Sequence, residues 1–132
     1  MIGLDTNVLV RHLVADDPAQ ARRVDRLLAE RCSAAEPGFV NRIVLCELVW
    51  TLDRTYGYGR ADIARVIEHL LLVRELRVED SEHVAAAVRR FRRQNVDFSD
   101  ALIAEINTAQ GCEATATFDR KAAKTAGFVV VG

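Results

Sequence analysis

Five short apolar or β-branched runs, "MIGL", "PGFVN", "LRVED", "EATATF" and "FVVV", are strung along the chain with helical stretches between them. Strands that alternate with helices pair in parallel, because the helix carries the chain back to the starting edge, and a parallel sheet needs cover on both faces. The expected class is α/β around a parallel sheet of four to five strands. Among the helical stretches, "DDPAQARRVDRLLAERC" has Asp17 as a cap, Pro18 at the first helical position and Ala21, Val24, Leu27 and Leu28 at helical spacing. "RIVLCELVWTLDRTYGYG" is a dense apolar helix stopped by two glycines, and another helix runs from Ala61 to about Glu75. Ser81 caps a helix with Val84, Val88 and Phe91 on one stripe, and "DFSDALIAEINTAQG" sets Leu102, Ile103 and Ile106 inward before Gly111 stops it. Residues Lys121 to Ala126 form a short helix between the last two strands. The segment after the first strand opens on Asp-Thr-Asn, which is good turn chemistry.

At 132 residues and 50% hydrophobic, the chain suits one domain spanning residues 1–132. Its formal net charge of -1 excludes a global basic field, so any polyanion must be met by a local patch. Cys32, Cys46 and Cys112 are odd in number and widely spaced, which argues against a disulfide framework or a zinc site and for reduced thiols in the cytoplasm. There is no basic leader before an apolar stretch and no uncharged run of about 18 residues, so neither a signal peptide nor a membrane span is expected. His12, His69 and His83 show no ligand spacing.

Carboxylates carry the chemistry. Asp5 and Asp119 each end a strand, and in an open parallel sheet ligands sit beyond the carboxyl ends of the strands. Locally each has a plainer role, Asp5 as a turn or cap residue and Asp119 as cap of the short helix that follows. Glu47 is the only charge in "IVLCELVWTL"; buried alone it would be costly, yet Glu47, Thr51 and Arg54 also form a stripe that fits a narrow solvated face. In "VDFSDALIA", Asp97 suits the N-cap and Asp100 the first turn, where negative charge favours the helix dipole. Taken as a set, the acids come from four elements at strand ends or helix starts. An all-oxygen set of this kind favours Mg²⁺ or Mn²⁺ over zinc.

"MIGLDTNVLVRHL", "VLCELVWTL", "DFSDALIA" and "TFDRKA", in this order and at these intervals, resemble the PIN-domain ribonucleases, most closely the VapC toxins of bacterial toxin–antitoxin pairs. The likeness runs over essentially the whole chain. It implies a three-layer α/β/α sandwich, with Asp5, Glu47, Asp100 and Asp119 as catalytic acids that hold Mg²⁺ or Mn²⁺ for endonucleolytic cleavage of RNA by metal-activated water. Asn7 and Thr117 fall where that family places polar residues that steady the acids, and Asp97 caps the helix that aims Asp100. None of the four acidic positions departs from the pattern. The resemblance also implies a homodimer and a small antitoxin seated in a hydrophobic groove. An apolar excess at Leu45, Leu48, Val49, Trp50 and Tyr56 fits a second buried surface of that kind.

Other acidic α/β folds fit less well. A receiver domain needs a second acid beside Asp5, where Thr6 and Asn7 stand, and a D-x-D phosphatase needs an aspartate at Asn7. A non-catalytic PIN-like module that binds RNA or protein remains open. For backbone contact, "RRFRR" at Arg89 to Arg93 reads as a solvated helix face, whereas Lys121 and Lys124 lie nearer the acids in sequence.

Overall fold

Three strands of the first half pair side by side in parallel: β1 (Ile2–Gly3), β2 (Gly38–Val40) and β3 (Leu76–Val78), in the order β1-β2-β3. Ile2 faces Gly38, and Val40 faces Val78. The computed structural model describes residues 1–132, which divide into two units, Met1–Ser81 and Glu82–Gly132. No helix in either is long and apolar enough to cross a membrane.

In the first unit, α1 (Thr6–Val14) packs against α2 (Pro18–Arg31) and α3 (Arg42–Arg54), α3 against α4 (Arg60–Leu72), and α4 against β3. Leu9, Leu45, Leu48, Leu52, Ile67 and Leu70 are fully buried there. The α2 start is as read, with the Asp17 side chain accepting from Gln20 N–H at 3.1 Å and Pro18 in the first turn. Asn41 caps α3 through Val44 N–H at 2.8 Å. The helix α1 was not expected from the sequence. Asp-Thr-Asn serves a turn and an N-cap equally well, because both use the same short side-chain acceptor. Here it begins a helix that buries Leu9 and Val10 and ends on Ala15 in the left-handed region. The helix expected to reach about Glu75 stops at Leu72, where Val73 turns to extended backbone.

The second unit holds all but the first residue of α5 (Ser81–Arg93), then α6 (Phe98–Ala109), β4 (Thr115–Thr117), a 3₁₀ turn at Ala122–Lys124, and β5 (Phe128–Val130). β4 and β5 pair in parallel, Thr115 opposite Phe128. All five expected strands are therefore present and all pairings are parallel, with hydrogen bonding divided between a three-stranded and a two-stranded sheet. The Val84, Val88, Phe91 stripe is buried, and Phe91 meets Phe98 edge-on at 6.3 Å between centroids. Ile103, expected inward, is 46% exposed; Phe98 and Leu102 take the inner face instead. Within the arginine run, Arg90 differs from its neighbours. Its guanidinium pairs with Glu105 of α6 at 3.4 Å, donates to the Ala126 carbonyl and lies 6.0 Å from the Phe128 ring centroid. One side chain thus ties α5 to α6 and to the loop before β5.

β2 tolerates no side chain at its first residue. A Cβ on Gly38 would stand 2.9 Å from both Cys32 Sγ and Leu4 Cδ1, atoms of buried residues. Gly38→Ala should therefore cost about 1–3 kcal/mol by overpacking, read from denaturant melts. In a Cys32→Ala background the cost should shrink; an unchanged cost would place the strain elsewhere.

Candidate functional site

The end of β1 delivers Asp5 to the start of α1. Its Oδ1 accepts the Thr6 N–H at 2.8 Å, and its carbonyl accepts from Val8 and Leu9, so the residue is a helix cap. The capping uses one carboxylate oxygen, and the side chain is exposed. Thr6 beside it is buried with its hydroxyl unpartnered, a cost of about 1–3 kcal/mol in an ordinary interior. Nothing in the local pattern signals this, because Thr6 reads as part of a turn. Asn7, exposed in the first turn of α1, lies with Arg11, Gln20 and Arg23 along the groove between α1 and α2.

Glu47 stands on the outer side of α3. It is exposed, so the burial cost weighed from the sequence does not arise and the solvated stripe is what the helix shows. Its carbonyl accepts the Thr51 hydroxyl at 2.8 Å. Ile43, 72% exposed, and Trp50, 62% exposed, flank it one turn to either side. The apolar excess expected at residues 45–56 is therefore corrected. Leu45 and Leu48 belong to the core, and Tyr56 bonds Arg11 and Asp16; Ile43 and Trp50 are the apolar groups left outside. Half-buried Cys46 has its thiol pKa pushed up by burial, which makes it a packing residue and a poor nucleophile.

In the second unit, Asp97, Asp100 and Asp119 line one small pocket with Asn95, Val96, Lys121 and Ala122. Asp97 has the extended backbone of an N-cap and its carbonyl accepts from Ala101 at 2.9 Å, but its carboxylate makes no capping bond, contrary to the role expected of it. Asp100 projects from the first turn of α6. Burial, and then the negative charges of Asp97 and Asp119, push its carboxyl above the ordinary aspartate range. Asp119 follows β4, and its Oδ1 accepts from Lys121 N–H at 2.8 Å and Ala122 N–H at 3.3 Å, capping the 3₁₀ turn as expected. Thr117 holds it from behind, the hydroxyl accepting Asp119 N–H at 3.0 Å.

A model of the PIN domain matches residues 2–128. The chain belongs to the PIN-domain family. Over 128 residues, 97% of this chain and 93% of the relative, it is 27% identical to a VapC ribonuclease of Aquifex aeolicus. Within neither unit of this PIN domain do three His, Cys, Asp or Glu side chains stand close enough to enclose an ion. The donors nevertheless suit a hard cation. All are carboxylate oxygens, Asp5 and Asp119 each keep one oxygen outside their capping bonds, and the Asp100 carboxyl is crowded by burial and by two neighbouring negative charges. Mg²⁺ ordinarily takes one or two carboxylates and keeps several waters, a demand that Asp100 and Asp119, which line one pocket, can meet.

The crowding at Asp100 has a measurable sign. Its raised native pKa means the folded protein keeps this proton to higher pH than the unfolded chain does. Between the ordinary and the raised value, stability therefore falls as pH rises. In EDTA, Asp100→Asn should melt higher than the parent near neutral pH, the gap closing below about pH 4. A gap that stays constant with pH would show that Asp100 is not crowded.

Proposed function

We propose that this PIN domain is a Mg²⁺- or Mn²⁺-dependent endoribonuclease, with Asp5, Glu47, Asp100 and Asp119 as its acids. The observation that carries the reading is the pocket that Asp97, Asp100 and Asp119 line together, where burial and the charges of the other two make Asp100 costly to ionise. Like charges held this close gain most from a cation, and carboxylates with no bond to share select a hard one. The end-to-end PIN match and the likeness to a VapC ribonuclease support the same reading. Residues 1–132 then act as one domain.

When bound, the ion would supply charge neutralisation at the phosphoryl group and a lowered pKa for the attacking water. The chain's own groups orient and restrain. The N-cap bond fixes Asp5 at the head of α1, and Thr117 fixes the backbone of Asp119. Asp97 acts by charge on Asp100, since it makes no capping bond. Water attack on phosphorus leaves a 5′-phosphate and a 3′-hydroxyl.

The same reading makes the protein the toxin of a toxin–antitoxin pair, cytoplasmic and homodimeric, silenced by a small antitoxin protein. The exposed Ile43 and Trp50 beside Glu47 support a protein partner on α3, since two large apolar groups on one helix face gain from cover.

EDTA should abolish cleavage of single-stranded RNA, and Mg²⁺ or Mn²⁺ should restore it with 5′-phosphate products. Asp5→Ala should lose about 100-fold or more, beyond the 10–100-fold typical of groups that only support a metal ligand. Expression of the parent should arrest growth and that of Asp5→Ala should not. Cleavage that persists in EDTA, or ends in 2′,3′-cyclic phosphate, would sink the mechanism. RNA binding with no cleavage under any metal would favour the non-catalytic module.

A further inference from the structure

Next to the acid pocket, and sharing Asn95 and Lys121 with it, lies a second pocket of opposite character. Its walls are Gln94, Asn95, Lys121, Lys124, Thr125 and Ala126, and its volume of about 360 Å³ is in the range of sites that seat small ligands. No carboxylate lines it. Lys121 and Lys124 bring two cationic residues to its lining, and Gln94 and Asn95 bring two side-chain amides.

The walls are built rather than loose. Thr125 closes the 3₁₀ turn by donating to the Ala122 carbonyl from its backbone N–H at 3.0 Å and from its hydroxyl at 2.7 Å. Ala123 N–H is held by the Asp119 carbonyl at 3.0 Å, and the Ala126 carbonyl accepts from Arg90. Lys121 joins the two pockets covalently. Its backbone N–H steadies the Asp119 carboxylate, and the residue belongs to the lining of both pockets.

An anionic pocket that wants a cation and a cationic pocket that wants an anion, sharing a wall, suit a ligand of repeating phosphates. We propose that the Gln94, Asn95, Lys121, Lys124 pocket is a backbone subsite, seating the phosphate of the nucleotide adjoining the one cleaved. This rests on the ribonuclease reading above and adds to it a reason why the substrate is a polymer. A mononucleotide phosphodiester would engage the acids alone; RNA engages both pockets at once. Recognition here is by charge, so it is indifferent to the base and sensitive to salt.

The test measures binding of a short single-stranded RNA to Asp100→Asn protein in EDTA, across a salt series, by fluorescence anisotropy. Adding Lys121→Gln and Lys124→Gln should weaken binding about 10-fold or more and flatten the slope of log affinity against log salt by about 1.4, two contacts at about 0.7 each for a single strand. Lys121→Arg with Lys124→Arg should keep both affinity and slope. Arg89→Gln with Arg93→Gln removes the same charge from exposed positions of α5 and should change the slope far less. In the active enzyme the two glutamine substitutions should raise KM and leave kcat within about threefold. If the lysine and the arginine pairs flatten the slope equally, the effect is general charge and the subsite is wrong. If the lysine substitutions spare RNA but weaken binding of an acidic peptide, the pocket serves a protein and the proposal is likewise wrong. Failure of the parent to bind or cleave RNA at all would overturn the ribonuclease reading as well, an outcome distinct from a parent that binds and cleaves while its lysine variants do the same.

Discussion

The bond from Thr6 N–H to Asp5 Oδ1, at 2.8 Å, decides where the first strand ends and the first helix begins. A helix start carries N–H groups without partners, and a short acidic side chain is the simplest way to satisfy one of them. The cap needs a single oxygen. The other stays at the head of the helix, where the dipole favours negative charge. Asp119 repeats the arrangement on a smaller scale, its Oδ1 tied to the 3₁₀ turn and its backbone tied to Thr117. In both residues the capping bond takes one carboxylate oxygen, so the plain reading of each aspartate as a cap is correct and leaves the second oxygen unexplained.

That combination explains what could be read from the sequence. Strands, their parallel sense and the buried stripe of α5 follow from periodicity and were legible. The helix α1 was not, because Asp-Thr-Asn has the same chemistry in a turn as in a cap, and only the tertiary burial of Leu9 and Val10 decides between them. The inward face of α6 was misjudged at Ile103 for a related reason: Phe98, next to Asp97, anchors the helix against Phe91 and rotates the buried side toward Leu102. Leu45 and Leu48 read as surplus because one helix rarely needs so many apolar groups, but α3 packs against both α1 and α4. The division of the strands into sets of three and two is a matter of long-range pairing, on which local pattern is silent.

For the candidate site, Asp100 and Asp119 were each legible as acids at an element's end, and their meeting with Asp97 in one pocket is a matter of long-range packing. Asp97 has the sequence position of a cap and makes no capping bond, leaving charge as its means of acting on Asp100. Thr117 was legible only through family likeness, and the hydrogen bond it accepts from Asp119 supplies the physical reason. Arg90 could not have been separated from Arg89, Arg92 and Arg93 by sequence. Its distinction comes from Glu105 and the Ala126 carbonyl, both far along the chain.

Mn²⁺ titration followed by electron paramagnetic resonance tests whether the crowded carboxylate of α6 is a metal ligand, without RNA or turnover. The parent protein should bind Mn²⁺, Asp100→Asn should lose about 10-fold or more of that affinity, and Asp97→Asn should keep most of it, because Asn at 100 offers one neutral oxygen where a hard ion prefers an anionic one. Equal Mn²⁺ affinity in the parent and in Asp100→Asn, or a loss confined to Asp97→Asn, would contradict the assignment.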